Sequence, residues 1–573
     1  MSRAFKTQYN KNTLQLTTFH QRKFELCSGY SLQIAGEHMP LTRRDLVIGT
    51  IFLVSIALLI GALSMRNGPN IAPDEAHFVG YALGVQQGRG LTMLSAAYDS
   101  AEISHTIAWW PPLYPLLLTL VSLGGDPRQG LIFMGYIGLV ATALLMALLA
   151  YRVLGSRFHA IAAALFLISI YGLISPASRG AVETVFIPLV LGVCILALDY
   201  QFGVPVTSLR RALILLVLLA AGALIRNLMF VITLALCAYL LLWAWSLRGQ
   251  HVRPSPYWHI VIVAASVIPF GLFSLYNGIV NDNPLGMHRL VSTFKLDDIN
   301  NAIVVLSHQS AHGVRTALSM VGLRQGGIMV IGRVLIIVLP IVLLVRFWFV
   351  RKQRPPVVTA ASAFWLVTLV TIIYAVVYLG ITAFMPYSFP EAARYLMPSF
   401  IGFILWVLML SRRLKIPRVI EIVVVALYVY SGITVAAVNT GRGVSFNIEP
   451  FREDWILQRL ADFVPDDAIL IGGEYAYRHI GALPTTPIRT GPVDDNLYFQ
   501  LRCDQMVYPA GYPHVAMILL GETPDDVVVL DRTPEQRVAF LTAWFAPCGV
   551  VESFETSDVT TLAIGILNDE FIQ

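Results

Sequence analysis

The sequence predicts a polytopic α-helical membrane protein with a C-terminal extracytoplasmic α/β domain. Three observations carry that prediction. Of 573 residues, 56% are hydrophobic and only 13% are charged, whereas a soluble domain carries about 25% charged residues. The apolar residues fall in blocks of about twenty, the length a helix needs to cross a bilayer. The short segments between the blocks carry Arg or Lys at every second turn, as the positive-inside rule requires. The net charge of +5 comes with no basic stripe and no recognisable nucleic-acid module, which argues against a nucleic-acid partner. The five cysteines show no metal-ligand spacing.

Residues 1–44 are polar and include Lys6, Lys11, Arg22, Lys23, Arg43 and Arg44. This stretch is too long and too polar for the n-region of a signal peptide and reads as a cytoplasmic tail. The region 45–438 follows as the membrane domain. Its first span covers Leu46 to Met65, with Arg43 and Arg44 holding the start inside. An external loop, 66–130, comes next. Within it Pro112 to Leu123 is apolar but too short to cross, and Pro111-Pro112 opens it as proline opens helices, so it reads as a surface or re-entrant helix. Further spans cover Leu131 to Tyr151, Ala160 to Ile174 and Ala181 to Leu198. Ala212 to Trp245 is too long for one helix and reads as a hairpin with Arg226-Asn227 at its external turn. Trp258 to Tyr276 leads to a second external loop, 277–327. Ile328 to Val350, Val357 to Leu379, Leu396 to Leu410 and Val419 to Val438 complete about eleven spans, with the N-terminus inside and the C-terminus outside.

Residues 439–573 return to polar composition and turn signals, as in a soluble α/β domain. Ala468 to Ile471, Val515 to Leu520, Val527 to Leu530 and Thr560 to Ile566 read as strands; Trp455 to Phe463 and Glu535 to Phe545 read as helices. No G-x-G-x-x-G follows a strand, so no dinucleotide site is indicated. Cys503 and Cys548 both fall in this external domain, where a disulfide can persist; a bonded pair and two buried thiols are both open on sequence alone.

Ionisable residues collect at the external ends of the spans. The first loop carries Asp74, Glu75, His77, Glu102 and His105, and the turn after the third span carries Arg179 and Glu183. The hairpin turn carries Arg226 and Asn227, the second loop carries His288, Arg289, Lys295, Asp297 and Asp298, and the last external turn carries Glu391, Arg394 and Tyr395. Ionisable groups at membrane depth mark functional sites by default, although arginines at span ends also anchor helices by snorkelling. Asp74 precedes Phe78, Val79, Ala82 and Val85 at helical spacing, so its carboxylate can serve as an N-cap as well as a reactive group. Glu183 stands four residues after Arg179, where the two could pair along one helix face. His77 and His105 with Glu75 or Glu102 match no standard metal motif, so no metal ligand is assigned. Tyr114, with Trp109, Trp110 and Tyr387, fits an interfacial aromatic belt or the flank of a sugar or lipid chain.

Four features occur in one order: the Asp74-Glu75 pair after the first span, Pro111-Pro112-Leu113-Tyr114, the Arg179 turn followed by an acid, and Ala393-Arg394-Tyr395-Leu396-Met397-Pro398. That order, over roughly residues 45 to 400, resembles the GT-C glycosyltransferases, in the branch of the protein O-mannosyltransferases and the lipid A aminoarabinose transferase. The resemblance implies a GT-C-like catalytic domain over 45–438. It also implies an inverting hexosyl or pentosyl transfer from a polyprenyl-phosphate donor to a hydroxyl of a lipid, glycan or protein acceptor. By analogy Asp74 is the general base with Glu75 beside it, and Arg179 and Arg394 hold the donor phosphate; Lys295 or Arg289 is the candidate for the further phosphate-binding cation. Glu183, His105, Tyr114 and Tyr395 line the substrate. No cofactor is required, and a divalent cation is compatible. The expected setting is a bacterial inner membrane, with the protein in contact with its lipids and the site facing the periplasm or exterior. The sequence departs from the family where Trp110 replaces a basic residue before Pro-Pro and where Glu183 replaces a closer Asp after Arg179. The competing reading is a lipid or polysaccharide transporter or flippase, whose ionisable groups more often lie near the bilayer midplane.

Overall fold

The computed structural model describes residues 43–65, 73–97, 103–107, 111–250, 252–280, 358–382, 394–439, 459–460, 462–471, 488–490, 503–520, 533–557 and 560–572. The expected span at Ile328 to Val350, the strand at Val527 to Leu530 and the tail 1–42 lie outside the described residues. Every other expected span has helix in its place. Helix α1 is Arg43–Ser64, α2 is Pro73–Gln86, and α3 is the short Leu113–Val121 of the first loop. Then come α4 (Pro127–Leu154), α5 (Arg157–Ile168), α6 (Tyr171–Arg179), α7 (Glu183–Ala197), α8 (Arg210–Ile225) and α9 (Met229–Ser246). The pair α10 (Pro256–Ala264) and α11 (Ile268–Val280) follows, joined by a single 3-10 turn, then α12 (Val358–Thr382), α13 (Met397–Leu414) and α14 (Arg418–Asn439). Among the described residues six helices are long and apolar enough to cross a membrane, or seven if α5 and α6, bent by 60°, form one span.

Local chemistry sets the helix ends. Asp126 caps α4 by accepting the Arg128 amide at 2.9 Å, with Pro127 in the first turn. Gly155 ends the same helix at φ 63°, and Ser156 caps α5 at once. The bend between α5 and α6 comes where Ile170 turns extended (φ −81°, ψ 134°). The outer helices present exposed apolar side chains such as Ile51, Leu275 and Val423, which suit contact with lipid tails.

The bundle has two poles. At one, Arg152 reaches Asp199 at 2.6 Å and the Ile195 carbonyl at 2.7 Å, and Arg412 donates to the Leu154 carbonyl. These are the basic turns that sequence placed on one side. Glu75, Arg179, Glu183, Arg226 and Arg394 all stand at the opposite helix ends.

The C-terminal region forms a sheet with a longer reach than the sequence suggests. Its strands are β3 (Ala468–Ile471), β4 (Ile488–Thr490), β5 (His514–Leu520), β6 (Gly549–Thr556) and β7 (Thr560–Leu567), with helix α15 at Pro534–Phe545. Two more strands come from the segment between α2 and α3: β1 (Thr92–Ala97) and β2 (Ile103–Ile107) form a hairpin, and β1 pairs in parallel with β4, Ser95 opposite Ile488. The order is β2-β1-β4-β3-β5-β7-β6. One face carries Leu470, Ala516, Ile518 and Ile564 into a core with Phe78, Val79 and Tyr81 of α2. The other face, with Ile469, Val515 and Met517, packs on Leu541 and Phe545 of α15. Cys503 and Cys548 are bonded in this second core, with Cα atoms 5.9 Å apart, within the usual range for a disulfide.

Candidate active site

The site helix is α2. It opens at Pro73, so Asp74 stands within its first turn rather than before it as an N-cap, where its charge is still favoured by the helix dipole. The backbone of Asp74 is described and its side chain is not. Glu75 is 1% exposed. The rest of α2 is buried almost all round, between the sheet and the bundle, which fixes the helix bearing both acids.

Two of the sequence motifs meet at Gly180. Tyr114, fully buried on α3, donates its hydroxyl to the Gly180 carbonyl and packs edge-on against Phe78, ring centroids 4.8 Å apart. Burial, with Glu75 and Glu183 nearby, pushes the Tyr114 phenol well above its ordinary range, so it stays a proton donor. Gly180 ends α6 at φ 62°, and a Cβ there would lie 2.1 Å from the Leu131 carbonyl oxygen. Only glycine satisfies both the turn and the contact. Small residues on α4 serve the same junction: a Cβ on Gly135 would meet the Ala177 carbonyl at 2.3 Å, and one on Gly138 would meet Thr184 at 2.5 Å. Close backbone approach of this kind fixes helix ends within a membrane.

Arg179 and Glu183 flank the Gly180 turn, but they do not pair with each other as their spacing suggested. The left-handed glycine places them on separate helices. Arg179 donates to Ser175 Oγ at 3.4 Å, and its Nε has no hydrogen-bond acceptor among the described residues. Glu183, 1% exposed in the first turn of α7, instead takes Arg226 Nη1 on Oε1, and Arg394 Nε lies 3.7 Å from the same oxygen. Arg394 Nη1 is 3.9 Å from Glu75 Oε1, and its Nη2 donates to the Tyr395 hydroxyl at 3.1 Å. The Tyr395 ring carries Arg226 Cζ at 4.4 Å from its centroid and Arg394 Cζ at 5.0 Å, within cation–π range. Tyr378 of α12 packs beside Tyr395, ring centroids 5.9 Å apart. Two carboxylates and two guanidiniums are thus buried together, each charge beside an opposite one, as burial demands.

The structure therefore gathers Glu75, Glu183, Arg394 and Tyr395 in one cluster, and ties Arg179 to Tyr114 through the Gly180 turn. His105 falls on edge strand β2, opposite Leu94, and its side chain is not described. Lys295, Glu102, Arg289, Trp110 and Glu391 lie outside the described residues. Arg226, which the sequence places among the external polar groups without a specific role, is the further member of the cluster. Its signal was visible: it is the sole charged residue between Ala212 and Trp245. It is no lipid anchor, because its side chain is only 11% exposed and is held by Glu183. Among the described residues no group of three or more His, Cys, Asp or Glu is placed to hold a metal ion.

No protein-family model matches the chain, and no curated protein matches it in sequence. Solved structures do. ArnT from Cupriavidus metallidurans bound to undecaprenyl phosphate superposes with a TM-score of 0.52 at 13% identity, over 90% of this chain and 97% of that one. The apo state of the same protein gives 0.51 at 13% identity over the same shares. The archaeal oligosaccharyltransferase AglB from Archaeoglobus fulgidus, in complex with an inhibitory peptide and a dolichol-phosphate, gives 0.48 at 11% identity over 83% and 70%. At such identities the likeness is one of architecture, and the two ArnT comparisons span nearly the whole of both chains. The chain shares the fold of ArnT, a bundle of long apolar helices followed by a C-terminal α/β region.

Proposed function

We propose that this chain is an integral-membrane inverting glycosyltransferase that moves a sugar from a polyprenyl-phosphate donor to an acceptor hydroxyl. The observation that carries the reading is the buried arginine–glutamate cluster beside α2, at one pole of a bundle whose fold is that of ArnT bound to undecaprenyl phosphate. A polyprenyl donor cannot leave the bilayer, so its phosphate must be met at the ends of the spans. The cluster stands there.

The chemistry follows from the groups present. The Asp74 carboxylate takes the proton of the acceptor hydroxyl as that oxygen attacks the anomeric carbon. The bond from the anomeric carbon to the phosphate oxygen breaks on the opposite face, and polyprenyl phosphate departs with the electron pair, which inverts the centre. Arg179, which has no carboxylate partner among the described residues, takes the departing phosphate through charge-assisted hydrogen bonds. Arg394, shared between Glu75 and Glu183, supports the same charge, with Lys295 of the second loop as a further cation. Tyr395 and Glu183 border the substrate. Tyr114 acts through the Gly180 turn instead, since its hydroxyl is already engaged there. The step needs no cofactor, and a divalent cation on the phosphate is compatible with it. The site faces the periplasm of a bacterial inner membrane. The acceptor is a lipid, glycan or protein hydroxyl, and the sugar a hexose or pentose.

The test is to incubate the purified chain with a polyprenyl-phosphate-linked sugar and an acceptor and to quantify free polyprenyl phosphate. A transferase releases it in step with transfer. Movement of intact donor across a proteoliposome membrane without release identifies a flippase and rejects the proposal.

A further inference from the structure

Arg226 leaves α8 in an extended conformation (φ −150°, ψ 127°), its amide still bonded to the Gly222 carbonyl at 2.8 Å. From there it donates to Glu183 Oε1, the same oxygen that faces Arg394 Nε at 3.7 Å. Arg394 in turn stands between two carboxylates at nearly equal distances, 3.7 Å from Glu183 and 3.9 Å from Glu75. Both guanidiniums lie against the Tyr395 ring. The contacts are unequal. Arg226 holds Glu183 by direct hydrogen bond, whereas Arg394 faces Glu183 and Glu75 at longer range and also donates to the Tyr395 hydroxyl.

That inequality has an electrostatic consequence. As long as Arg226 compensates Glu183, the pull of Glu183 on Arg394 is reduced relative to that of Glu75. Without the Arg226 charge, Glu183 has Arg394 as its remaining cation among these contacts. A buried carboxylate draws its cation in, and Arg394 moves toward Glu183 and away from Glu75 and α2. The Tyr395 ring also loses the guanidinium that packs it from the α8 side.

We infer that Arg226 is a positioning residue: by holding Glu183 and Tyr395 it sets where Arg394 stands between Glu183 and Glu75, and so sets the seat of the anion that Arg394 helps to bind. The inference rests on the transferase reading above, in which that anion is a polyprenyl phosphate. Arg226 itself need not touch the substrate.

The experiment is a double-mutant cycle on binding of undecaprenyl phosphate to the purified full-length chain in detergent, with thermal unfolding recorded for each variant. Arg226→Gln is expected to weaken binding about tenfold, which is a difference of one factor of ten in Kd. Arg226→Lys keeps a charge on Glu183 but loses the flat stack and the fork, and is expected to weaken it about two- to threefold. In an Arg394→Gln background neither substitution should change Kd beyond about twofold, because residues that act through a shared partner are not additive. A lowered unfolding temperature with an unchanged Kd would show that Arg226 is structural only. Equal losses in both backgrounds would show that it acts without Arg394. Either result overturns the inference. Should Arg226→Gln fail to fold, Arg226→Lys carries the same cycle. A wild-type chain that binds no polyprenyl phosphate would overturn the transferase reading and this inference with it, whereas wild-type binding with additive losses would overturn the inference alone.

Discussion

Gly180→Ala separates the roles of conformation and packing at the junction that carries Arg179 and Glu183. Alanine in the left-handed region costs about 1–2 kcal/mol. The added methyl would also lie 2.1 Å from the Leu131 carbonyl oxygen, 2.5 Å from its carbon and 2.7 Å from its Cα. These are backbone atoms of α4, which cannot swing aside as a side-chain tip can. Overpacking of this kind adds about 1–3 kcal/mol, so the expected loss is about 2–5 kcal/mol. Gly203→Ala supplies the control. Gly203 has φ +76° with no atom within 4 Å of the would-be Cβ, so only the conformational cost of about 1–2 kcal/mol applies there. Relief of the clash must move the α6–α7 turn away from α4, and Arg179, Glu183 and the carbonyl held by Tyr114 move with it. A displacement of about 1 Å can reduce rate about 100-fold. The assay is equilibrium unfolding in detergent together with transfer rate per mole of folded protein. Gly203→Ala should lose stability alone; Gly180→Ala should lose more stability and most of its turnover. Equal effects of the two substitutions would refute the packing account of the turn.

Other predictions follow from separate features. Arg179→Ala should impair donor binding more than acceptor binding, and Arg179→Lys should restore activity only in part because lysine lacks the planar fork; full activity of both, measured by donor titration, would make Arg179 a helix-end anchor. Reduction of Cys503–Cys548, or replacement of both by serine, should destabilise the C-terminal sheet by about 4 kcal/mol for their separation of 45 residues, and unfolding curves that coincide with and without reductant would contradict this. A reporter fused after Gln573 should behave as external and one placed near Lys352 as cytoplasmic, and a cytoplasmic C-terminal signal would invert the assigned topology.

The spans were legible because each is a run of apolar residues whose length is set by the bilayer, and because basic turns mark one pole. The hairpin break at Arg226-Asn227 was legible for the same reason: one helix cannot hold the whole of Ala212 to Trp245. Strands β3, β5 and β7 are short apolar runs bounded by turns, and they were read within a residue or two. The β1–β2 hairpin was not. Thr-Met-Leu-Ser-Ala-Ala has a single β-branched residue, and β1 joins the sheet by pairing with β4 near the other end of the chain as well as with its neighbour β2. Pairing over that separation leaves no local trace. Strand β6, Gly549–Thr556, is an edge strand with polar residues at Glu552, Ser553 and Glu555, and was missed because one side is solvated. In the site, residue types and helix ends were visible, but the partners were not. Spacing of four suggested an Arg179–Glu183 pair, and a single left-handed glycine sends Glu183 to Arg226 and Arg394 instead. The disulfide needed the fold to bring the two cysteines together.

The most direct measurement compares polyprenyl phosphate release by Asp74→Asn, Glu75→Gln and wild type, per mole of folded enzyme, with donor binding measured separately. Asp74 stands in the first turn of α2, so loss of its charge there costs only about 0.3–1 kcal/mol of helix stability, whereas loss of a general base costs about 10²–10⁴-fold in rate. Glu75 is buried beside Arg394, so Glu75→Gln should reduce folded yield more than it reduces turnover. The account predicts that Asp74→Asn folds, binds donor and releases almost no polyprenyl phosphate. Near-wild-type release by folded Asp74→Asn would contradict it and remove Asp74 from the mechanism.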